Sequence, residues 1–313
     1  MTTDTDTSAA ARAAEKPPST TPDRAPRRRS WIGLWFVLPF TAVYAVFLLW
    51  PMILGLYYSF TDKSLTGRPV DWIGLANWTE AFGDPKAWDS LWNTAWFTIL
   101  STPPLVILGL AFALLAHRAR KLGWFLRLSF FAPFVIPVSV VTLIWVWMYQ
   151  PDGGLINHYL GEWGLGGDRL WIFQEDAMGS VVTTTVWWTL GFNFLLYLAA
   201  LQTIPTEVYE AADIDGANPV QKLWSITLPL LRRTTALVIV LQLINSLRIF
   251  DQYYLMAGGG SNLSPENVFI QYVYNAGFVG FRVGYASALS YILFAFILIV
   301  ALVQFRLLSR KED

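Results

Sequence analysis

Residues 234–256 form an apolar stretch that carries the side chains best suited to binding a solute. Its polar and charged members are Gln242, Asn245, Ser246, Arg248, Asp251 and Gln252. In a helix turning 100° per residue, Gln242, Asn245, Arg248 and Gln252 lie within about 120° of one another, on one face. That face offers the hydrogen-bonding groups that a sugar needs. Polar side chains also join membrane helices, and Arg248 can pair with Asp251 three residues on, so the alternatives remain open.

The second distinctive group of residues is acidic and lies in the polar segment 202–230. Its carboxylates are Glu207, Glu210, Asp213 and Asp215, with no base before Lys222. Helices that rest on a membrane surface favour Lys and Arg on the polar face, so this composition disfavours an anionic lipid surface. Val208, Ala211 and Ala212 form a stripe of small side chains that permits close approach to a partner. We therefore expect this segment to dock onto another protein.

Capping signals divide this segment into two short helices. Thr206 is the predicted N-cap of the first helix, whose early acids suit the helix dipole. Gly216 ends that helix because glycine accepts a left-handed conformation. Asn218-Pro219, with Gln221 three residues past the cap, begins the second helix. Pro229 closes the unit before the next apolar span.

Several other kinds of chemistry find no support in the 313 residues. The chain has no cysteine and two histidines, so it offers no disulfide, no thiolate metal site and no paired histidine ligands. No His, Cys or acid cluster lies within an apolar span, which disfavours a membrane-embedded enzyme. No inverted repeat or mid-span acid supports a secondary transporter. The phosphate-binding pattern Gly-x-x-x-x-Gly-Lys-Ser/Thr is absent, and the net charge of zero gives no indication of nucleic-acid binding.

The composition places these residues in a membrane protein. Hydrophobic residues make up 55% of the chain and charged residues 14%, which is too apolar for a soluble globule. Spans of about 20 apolar residues suit a bilayer core, and we predict six all-α spans in one transmembrane domain over residues 31–308. They are Trp31–Phe60, Leu91–Ala116, Phe125–Tyr149, Ser180–Leu201, Thr234–Met256 and Gly284–Leu308. Residues 1–30 are predicted to be a disordered tail, and residues 309–313 a short C-terminal tail.

The charges of the connecting segments predict the orientation. Basic clusters precede the first span, fill residues 117–124 and follow the last span, whereas segments 61–90 and 150–179 carry excess acid. Since basic segments stay in the cytoplasm, both termini and the 202–233 loop are predicted to be cytoplasmic. The many tryptophans near span ends fit interfacial anchoring.

The ordered set of motifs resembles a known family. Glu210-Ala211-Ala212, Asp215-Gly216-Ala217 and Ile226, Leu228 and Pro229 resemble the EAA loop of permease subunits of bacterial ABC importers. Matching residues outside the loop include Gly74-Leu75-x-Asn77-Trp78, Asn93-Thr94, Arg127, Pro133, Pro137, Trp145, Gly154, Asn157, Gln202-x-Ile204-Pro205, Gly258-Gly259 and Tyr285-Ala286-Ser287-Ala288-Leu289. The likeness spans about residues 31–308 and is greatest to the maltose-type first permease of the binding-protein-dependent sugar branch.

This resemblance implies a type I ABC importer permease in the bacterial cytoplasmic membrane. The EAA loop would form a coupling helix in a cleft of a cytoplasmic ATPase subunit, with Glu210 facing a basic residue and Gly216 setting the corner. This chain would bind no cofactor, and ATP and Mg would belong to the ATPase. The implied partners are a second permease, two ATPase subunits, membrane lipid and an extracytoplasmic solute-binding protein that lands on segments 61–90 and 257–283.

The resemblance also implies a solute pocket lined from the third, fourth and fifth spans. The matching positions of the fifth span are Gln242, Ser246 and Ile249, of which Ile249 is apolar and departs from the pattern. The third span contributes Phe134 and Val138, and the fourth contributes Trp188, Gly191 and Asn193. The expected cargo is a mono- or oligosaccharide. A glycerol-phosphate-type ester or other polyol is the alternative, with Arg248 as the anion contact.

Overall fold

The computed structural model describes residues 32–118, 123–164, 177–256 and 267–309. Within these ranges the regular structure is helical, apart from one isolated β-bridge between Thr61 and Trp72. The predicted tail 1–30, the Gly258-Gly259 turn and nearly all of the predicted tail 309–313 lie outside the described residues. The fold is therefore all-α in the part of the chain that the structure describes, as predicted.

The chain divides into two units, residues 1–52 and 53–313. The first contains α1 (Ile32–Tyr44), a π-helical turn (Ala45–Leu49) and the start of α2 (Trp50–Tyr58). The second contains the rest of α2 and the following helices: α3 (Ala76–Gly83), α4 (Pro85–Arg118), α5 (Gly123–Val135), α6 (Val138–Met148), α7 (Leu155–Glu162), α8 (Ala177–Leu201), α9 (Thr206–Ile214), α10 (Pro219–Lys222), α11 (Leu228–Leu230), α12 (Arg232–Leu247), α13 (Asp251–Met256), α14 (Phe269–Tyr274) and α15 (Val283–Ser309). Further π-helical turns occupy Leu223–Thr227 and Asn275–Val279.

The described residues contain apolar helices of membrane-spanning length. Four are single spans: Trp35–Tyr58, Pro85–Arg118, Ala177–Leu201 and Val283–Gln304. Two further candidates are bent pairs, α5 with α6 at 95° and Pro219–Leu230 with α12 at 64°. Counting each bent pair as one span gives six, which agrees with the predicted number.

The predicted third span, Phe125–Tyr149, is two helices rather than one. Helix α5 ends at Val135, and α6 begins at Val138 after Pro137, whose ψ of 142° is extended. Proline has no amide hydrogen and disfavours a helical residue before it, so the chain turns sharply at Ile136-Pro137. Pro133 lies inside α5, so of the two prolines in this predicted span only Pro137 lies at the break.

The predicted fifth span, Thr234–Met256, is also interrupted. Helix α12 ends at Leu247, Arg248 leaves the helical conformation at φ −104° and ψ 18°, and α13 begins at Asp251. No proline or glycine marks this break in the sequence. Leu247, at the end of α12, and Ile249, within the break, are both buried, so tertiary packing overrides the local helical pattern. The assumption of one continuous helical face was therefore wrong beyond Leu247.

Helices α4 and α8 form the centre of the second unit, and α5 and α12 pack against them. A Cβ atom added to Gly109 of α4 would lie 3.0 Å from the Cβ of Asn193, so the glycine permits close helix packing. One apolar cluster, which includes Phe194, Tyr197 and Leu231, fills one part of this unit. A separate cluster around Phe97, Ile249 and Tyr253 fills another, and a polar cavity lies beside it.

Candidate functional site

A cavity of about 410 Å³ opens between the α5–α6 break, α8 and the α12–α13 break. The three walls are the predicted third, fourth and fifth spans. The predicted residues that line it are Phe134, Val138, Trp188, Gln242, Asn245, Ser246, Arg248, Ile249 and Gln252. The structure therefore brings most of the predicted solute residues to one place, and both unforeseen helix breaks border it.

Gln242 and Ser246 provide hydrogen-bonding groups on the α12 side of the cavity. Both side chains are buried, whereas Asn245 is exposed. The Ser246 hydroxyl donates to the backbone carbonyl oxygen of Gln242 at 2.8 Å. The lone pairs of the hydroxyl oxygen can still accept hydrogen bonds. Amide and hydroxyl groups at this wall are suited to hydroxyl-bearing solutes.

Asn193 does not line the cavity but supports a residue that does. Its amide nitrogen donates to the Oε1 atom of Gln242 at 3.3 Å, across α8 and α12. This hydrogen bond fixes the orientation of the side-chain amide of Gln242, because its oxygen atom, the acceptor, must then point towards α8. Direct solute contact by Asn193 stays a prediction, and in this structure the residue supports Gln242.

Gly191 lies outside the cavity lining as well. A Cβ atom at this position would lie 2.5 Å from the carbonyl oxygen of Phe130 and 2.9 Å from the Cα of Phe131. The glycine is therefore where α8 contacts the backbone of α5. A solute role for Gly191 stays a prediction, whereas the contact itself allows α5 to pack close to α8 beside the cavity.

Trp188 joins α8 to the break between α5 and α6. Its indole nitrogen donates to the carbonyl oxygen of Ile136 at 3.0 Å, a group in the non-helical segment at Pro137. A neighbour thus supplies the donor that a broken membrane helix requires. Beside it, the rings of Phe134 and Phe192 stack at 5.6 Å between centroids. The cavity has an aromatic wall held by a hydrogen bond.

Several lining residues were missed by the sequence reasoning, namely Phe97, Thr185, Thr189, Phe192 and Phe250. Thr185, Thr189 and Phe192 are spaced by four and three residues, which places them on one helical face with Trp188. That periodicity was a usable signal. Thr185 donates to Oε1 of Gln252 at 3.2 Å, so α8 also positions the glutamine contributed by α13.

Arg248 and Asp251 both line the cavity and have exposed side chains. The expected alternative, in which the two pair with each other, is not met: no ion pair joins them in the described structure. The helix break between them removes the helical spacing on which that pairing depended. Both charges are therefore presented to the cavity from the α12–α13 break.

The segment 202–230 has the predicted helix–corner–helix form. Helix α9 ends at Ile214, and Gly216 adopts φ +76°. Asn218 and Gln221 form a reciprocal capping box at the start of α10. The N-cap of α9 is Pro205 and Thr206 makes no capping bond, so that assignment was wrong. Pro229 lies inside α11, and the bend falls at Leu231 instead.

The two halves of this segment are tied to each other. The Tyr209 hydroxyl lies 3.0 Å from Oγ1 of Thr227, and Lys222 forms a salt bridge with Asp213. Glu207, Glu210, Ala211, Asp215 and Gly216 are exposed, whereas Ala212 is buried and Ala217 is half-buried. The segment is thus a preformed unit with acids on its exposed side.

An apolar side chain stands out on the same unit. Ile214 is 87% exposed, and Val220 and Trp224 are also largely exposed. Apolar groups beside carboxylates on a rigid helical unit are typical of a protein contact surface. Of the small-residue stripe predicted from the sequence, Val208 and Ala211 are exposed and Ala212 is buried.

Comparisons with known proteins agree with this geometry. A family model described as a binding-protein-dependent transport system inner membrane component matches residues 105–312. The sulfoquinovosyl glycerol transport system permease protein SmoG of Agrobacterium fabrum is 33% identical, covering 92% of this chain and 96% of its own. The sn-glycerol-3-phosphate transport system permease protein UgpA of Salmonella typhimurium is 30% identical, with 91% and 96% coverage.

Solved structures share the fold. A chain of a bacterial ABC transporter involved in the import of the acidic polysaccharide alginate superposes with a TM-score of 0.78 at 25% identity, covering 90% of this chain and 96% of that chain. A chain of the alginate transporter in complex with alginate pentasaccharide-bound periplasmic protein gives a TM-score of 0.73 at 24% identity. The overall fold of this chain is therefore one that a bacterial ABC transporter for alginate import also has.

Proposed function

This chain belongs to the family of binding-protein-dependent transport system inner membrane components, and on that premise we propose that it is one permease subunit of a bacterial ABC importer for a sugar. It forms half of a translocation pathway, and a second permease forms the other half. Two ATPase subunits, with ATP and Mg, supply the energy. An extracytoplasmic solute-binding protein delivers the cargo.

The cavity is the single observation that carries this proposal. Gln242, Asn245 and Ser246 present amide and hydroxyl groups on one wall, and Phe134 and Trp188 present aromatic rings on the opposite one. Hydroxyl groups of a sugar exchange hydrogen bonds with the first set, while its C–H faces pack on the second. Polar groups inside a membrane protein are costly and are retained where they bind or conduct a solute.

A solute that also carries an acidic group is the second candidate. The exposed guanidinium of Arg248 at the cavity favours it, because guanidinium groups bind carboxylates and phosphates with two parallel hydrogen bonds. Two relatives point the same way by name, one for sn-glycerol-3-phosphate and one for an acidic polysaccharide. Asp251 lies on the same wall. Its negative charge would then repel a solute that carries a second acidic group.

The segment 202–230 is the proposed coupling unit. Its exposed carboxylates, with Glu210 as the central one, and its exposed Ile214 meet an ATPase subunit on the cytoplasmic side. Closure of the ATPase pair on ATP moves this unit and, through the bend at Leu231, the helix α12 that carries Gln242 and Ser246. Both termini face the cytoplasm, and segment 61–90 faces the binding protein.

A two-step experiment tests the cargo. First, the cognate binding protein is screened by thermal shift against neutral sugars, acidic sugars and sn-glycerol-3-phosphate. Second, the reconstituted complex is assayed for ATPase stimulation by the hit, comparing wild type with Arg248→Gln and Gln242→Ala. A neutral sugar cargo predicts loss with Gln242→Ala and retention with Arg248→Gln. An acidic cargo predicts loss with both, and an equal fall of basal activity in Gln242→Ala would refute a solute role for that residue.

A further inference from the structure

An apolar groove of about 560 Å³ runs along α4 and α12 and shares no lining residue with the solute cavity. Its walls carry Val106, Leu110 and Leu114 on α4 and Ala236 and Ile239 on α12. All lie in apolar, membrane-spanning stretches. Among the described residues, the charged side chains that line it are Arg232 and Arg233, at the first turn of α12. The groove is therefore apolar along its length and cationic at one end.

A second, basic pocket of about 330 Å³ adjoins the groove. The two share Leu114 and Leu223 as lining residues. The basic pocket adds His117 and Arg118, from the last turn of α4. Lys222 of α10 also lines it and is paired with Asp213. The C-terminus of α4 and the N-terminus of α12 lie together, so the cationic side chains of both helices collect at one end of the groove.

The dimensions match one leaflet of a bilayer. From Val106 to His117, α4 rises by about 16 Å at 1.5 Å per residue, close to half of the ~30 Å hydrocarbon core. The ligand that fits is amphipathic, with an apolar chain along α4 and α12 and an anionic head at the arginines. Basic pockets between membrane helices on the cytoplasmic side are suited to anionic lipid headgroups.

We propose that the joined groove and basic pocket bind one anionic phospholipid, with its acyl chain between α4 and α12 and its phosphate beside Arg118 and Arg233. The site includes Lys222 and Leu223 of the proposed coupling unit. Lipid binding there links the coupling unit to the membrane domain, so anionic lipid stabilises the arrangement that transmits ATPase motion. Only this regulatory consequence rests on the proposed function; the lipid site itself does not.

The lipid site is tested on the complete complex with its partner subunits. The complex is purified from nanodiscs of equal parts phosphatidylglycerol and phosphatidylcholine. Native mass spectrometry measures the retained lipid. We expect wild type to retain phosphatidylglycerol in preference to phosphatidylcholine. Arg118→Gln combined with Arg233→Gln should weaken that retention about 30-fold, since each cation near an anionic headgroup contributes about a factor of five. Ala236→Phe, which fills the groove without changing charge, should also lose the lipid.

Two controls make the outcome decisive. Arg306→Gln removes an exposed cation at the end of α15, outside the groove, and should retain the lipid. Arg118→Lys with Arg233→Lys keeps the charge and should retain most of it. Equal retention of both lipids by wild type, unchanged retention in the double Gln variant, or retention by Ala236→Phe would each overturn the site. So would a cross-link from position 236 to the second permease, which would show that protein fills the groove. None of these readouts depends on transport.

Discussion

The amide nitrogen of Asn193 lies 3.3 Å from Oε1 of Gln242, and the two side chains are 1% and 7% exposed. This bond connects the middle of α8 to the middle of α12 beside the solute cavity. Gln242 also lines the cavity, so its orientation is set by a residue outside the cavity lining. The hydrogen bond from Asn193 to Gln242 is therefore part of the site, as are the residues that line the cavity.

A double-mutant cycle tests this relationship. Asn193→Leu leaves the buried Oε1 of Gln242 without its donor, which should cost about 1–3 kcal/mol of stability. Gln242→Leu alone should cost a similar amount, whereas the double variant should lose less than the sum because no polar partner is left alone. Thermal unfolding of the purified complex measures all three. Strictly additive losses would show that the two side chains do not interact.

Gly191 and Gly179 form a matched pair on α8. A Cβ at Gly191 would lie 2.5 Å from a backbone oxygen of α5, whereas one at Gly179 would have nothing within 4 Å. Gly191→Ala should therefore separate α5 from α8 and destabilise the protein by about 1–3 kcal/mol. Gly179→Ala should be neutral or stabilising by up to about 1 kcal/mol, since alanine is the better helix former. The melting temperatures of the two variants are compared with that of wild type. Equal shifts for both variants would refute the close contact of Gly191 with α5.

Tyr272 provides a pH-dependent test outside the membrane spans. Burial and the hydrogen bond to the Asp84 carboxylate raise the pKa of Tyr272 from 10.0 to about 12. The neutral phenol is thus favoured in the folded state, so its contribution to stability is complete below pH 10 and is lost as the pH rises from 10 through 12. Asp84 also accepts a hydrogen bond from Tyr285 at 2.6 Å, so this contact joins segment 61–90 to α14 and α15.

The measurement is the thermal stability of the purified complex at pH 8 and pH 11. Tyr272→Phe should be less stable than wild type at pH 8, and the gap should narrow at pH 11. Tyr159→Phe, at an exposed tyrosine of α7, should follow the wild-type pH dependence. A constant gap between Tyr272→Phe and wild type at both pH values would contradict the role assigned to the neutral phenol.

The helix end and the helix cap in segment 202–230 were predictable because they depend on residues that are neighbours in the sequence. Gly216 at φ +76° and the Asn218–Gln221 capping box are short-range features, and their residue types indicate them directly. The same holds for the number of spans, which follows from apolar length. Thr206 is an exception to this success. Threonine is the better capping residue, yet the N-cap of α9 is Pro205.

The breaks and supporting contacts of the cavity depend on tertiary packing and were harder to predict. Nothing local at Arg248 stops a helix, and the break is stabilised by burial of Leu247 and Ile249. Asn193 and Gly191 were selected for their place in mid-span, yet one supports Gln242 and the other contacts the α5 backbone. Sequence periodicity identifies a face of a helix, but it does not identify which neighbour covers that face.

ATP-driven uptake into proteoliposomes that contain the full complex tests the central claim, that this permease is driven through its 202–230 segment. The assay uses the solute identified by the binding-protein screen. Glu210→Lys reverses an exposed charge, and Gly216→Pro forces φ near −65° where the chain needs +76°. Both should abolish uptake while the complex still binds its solute-loaded binding protein. Glu162→Lys, the same charge change on exposed α7, should transport normally. Wild-type uptake by both Glu210→Lys and Gly216→Pro would contradict the account.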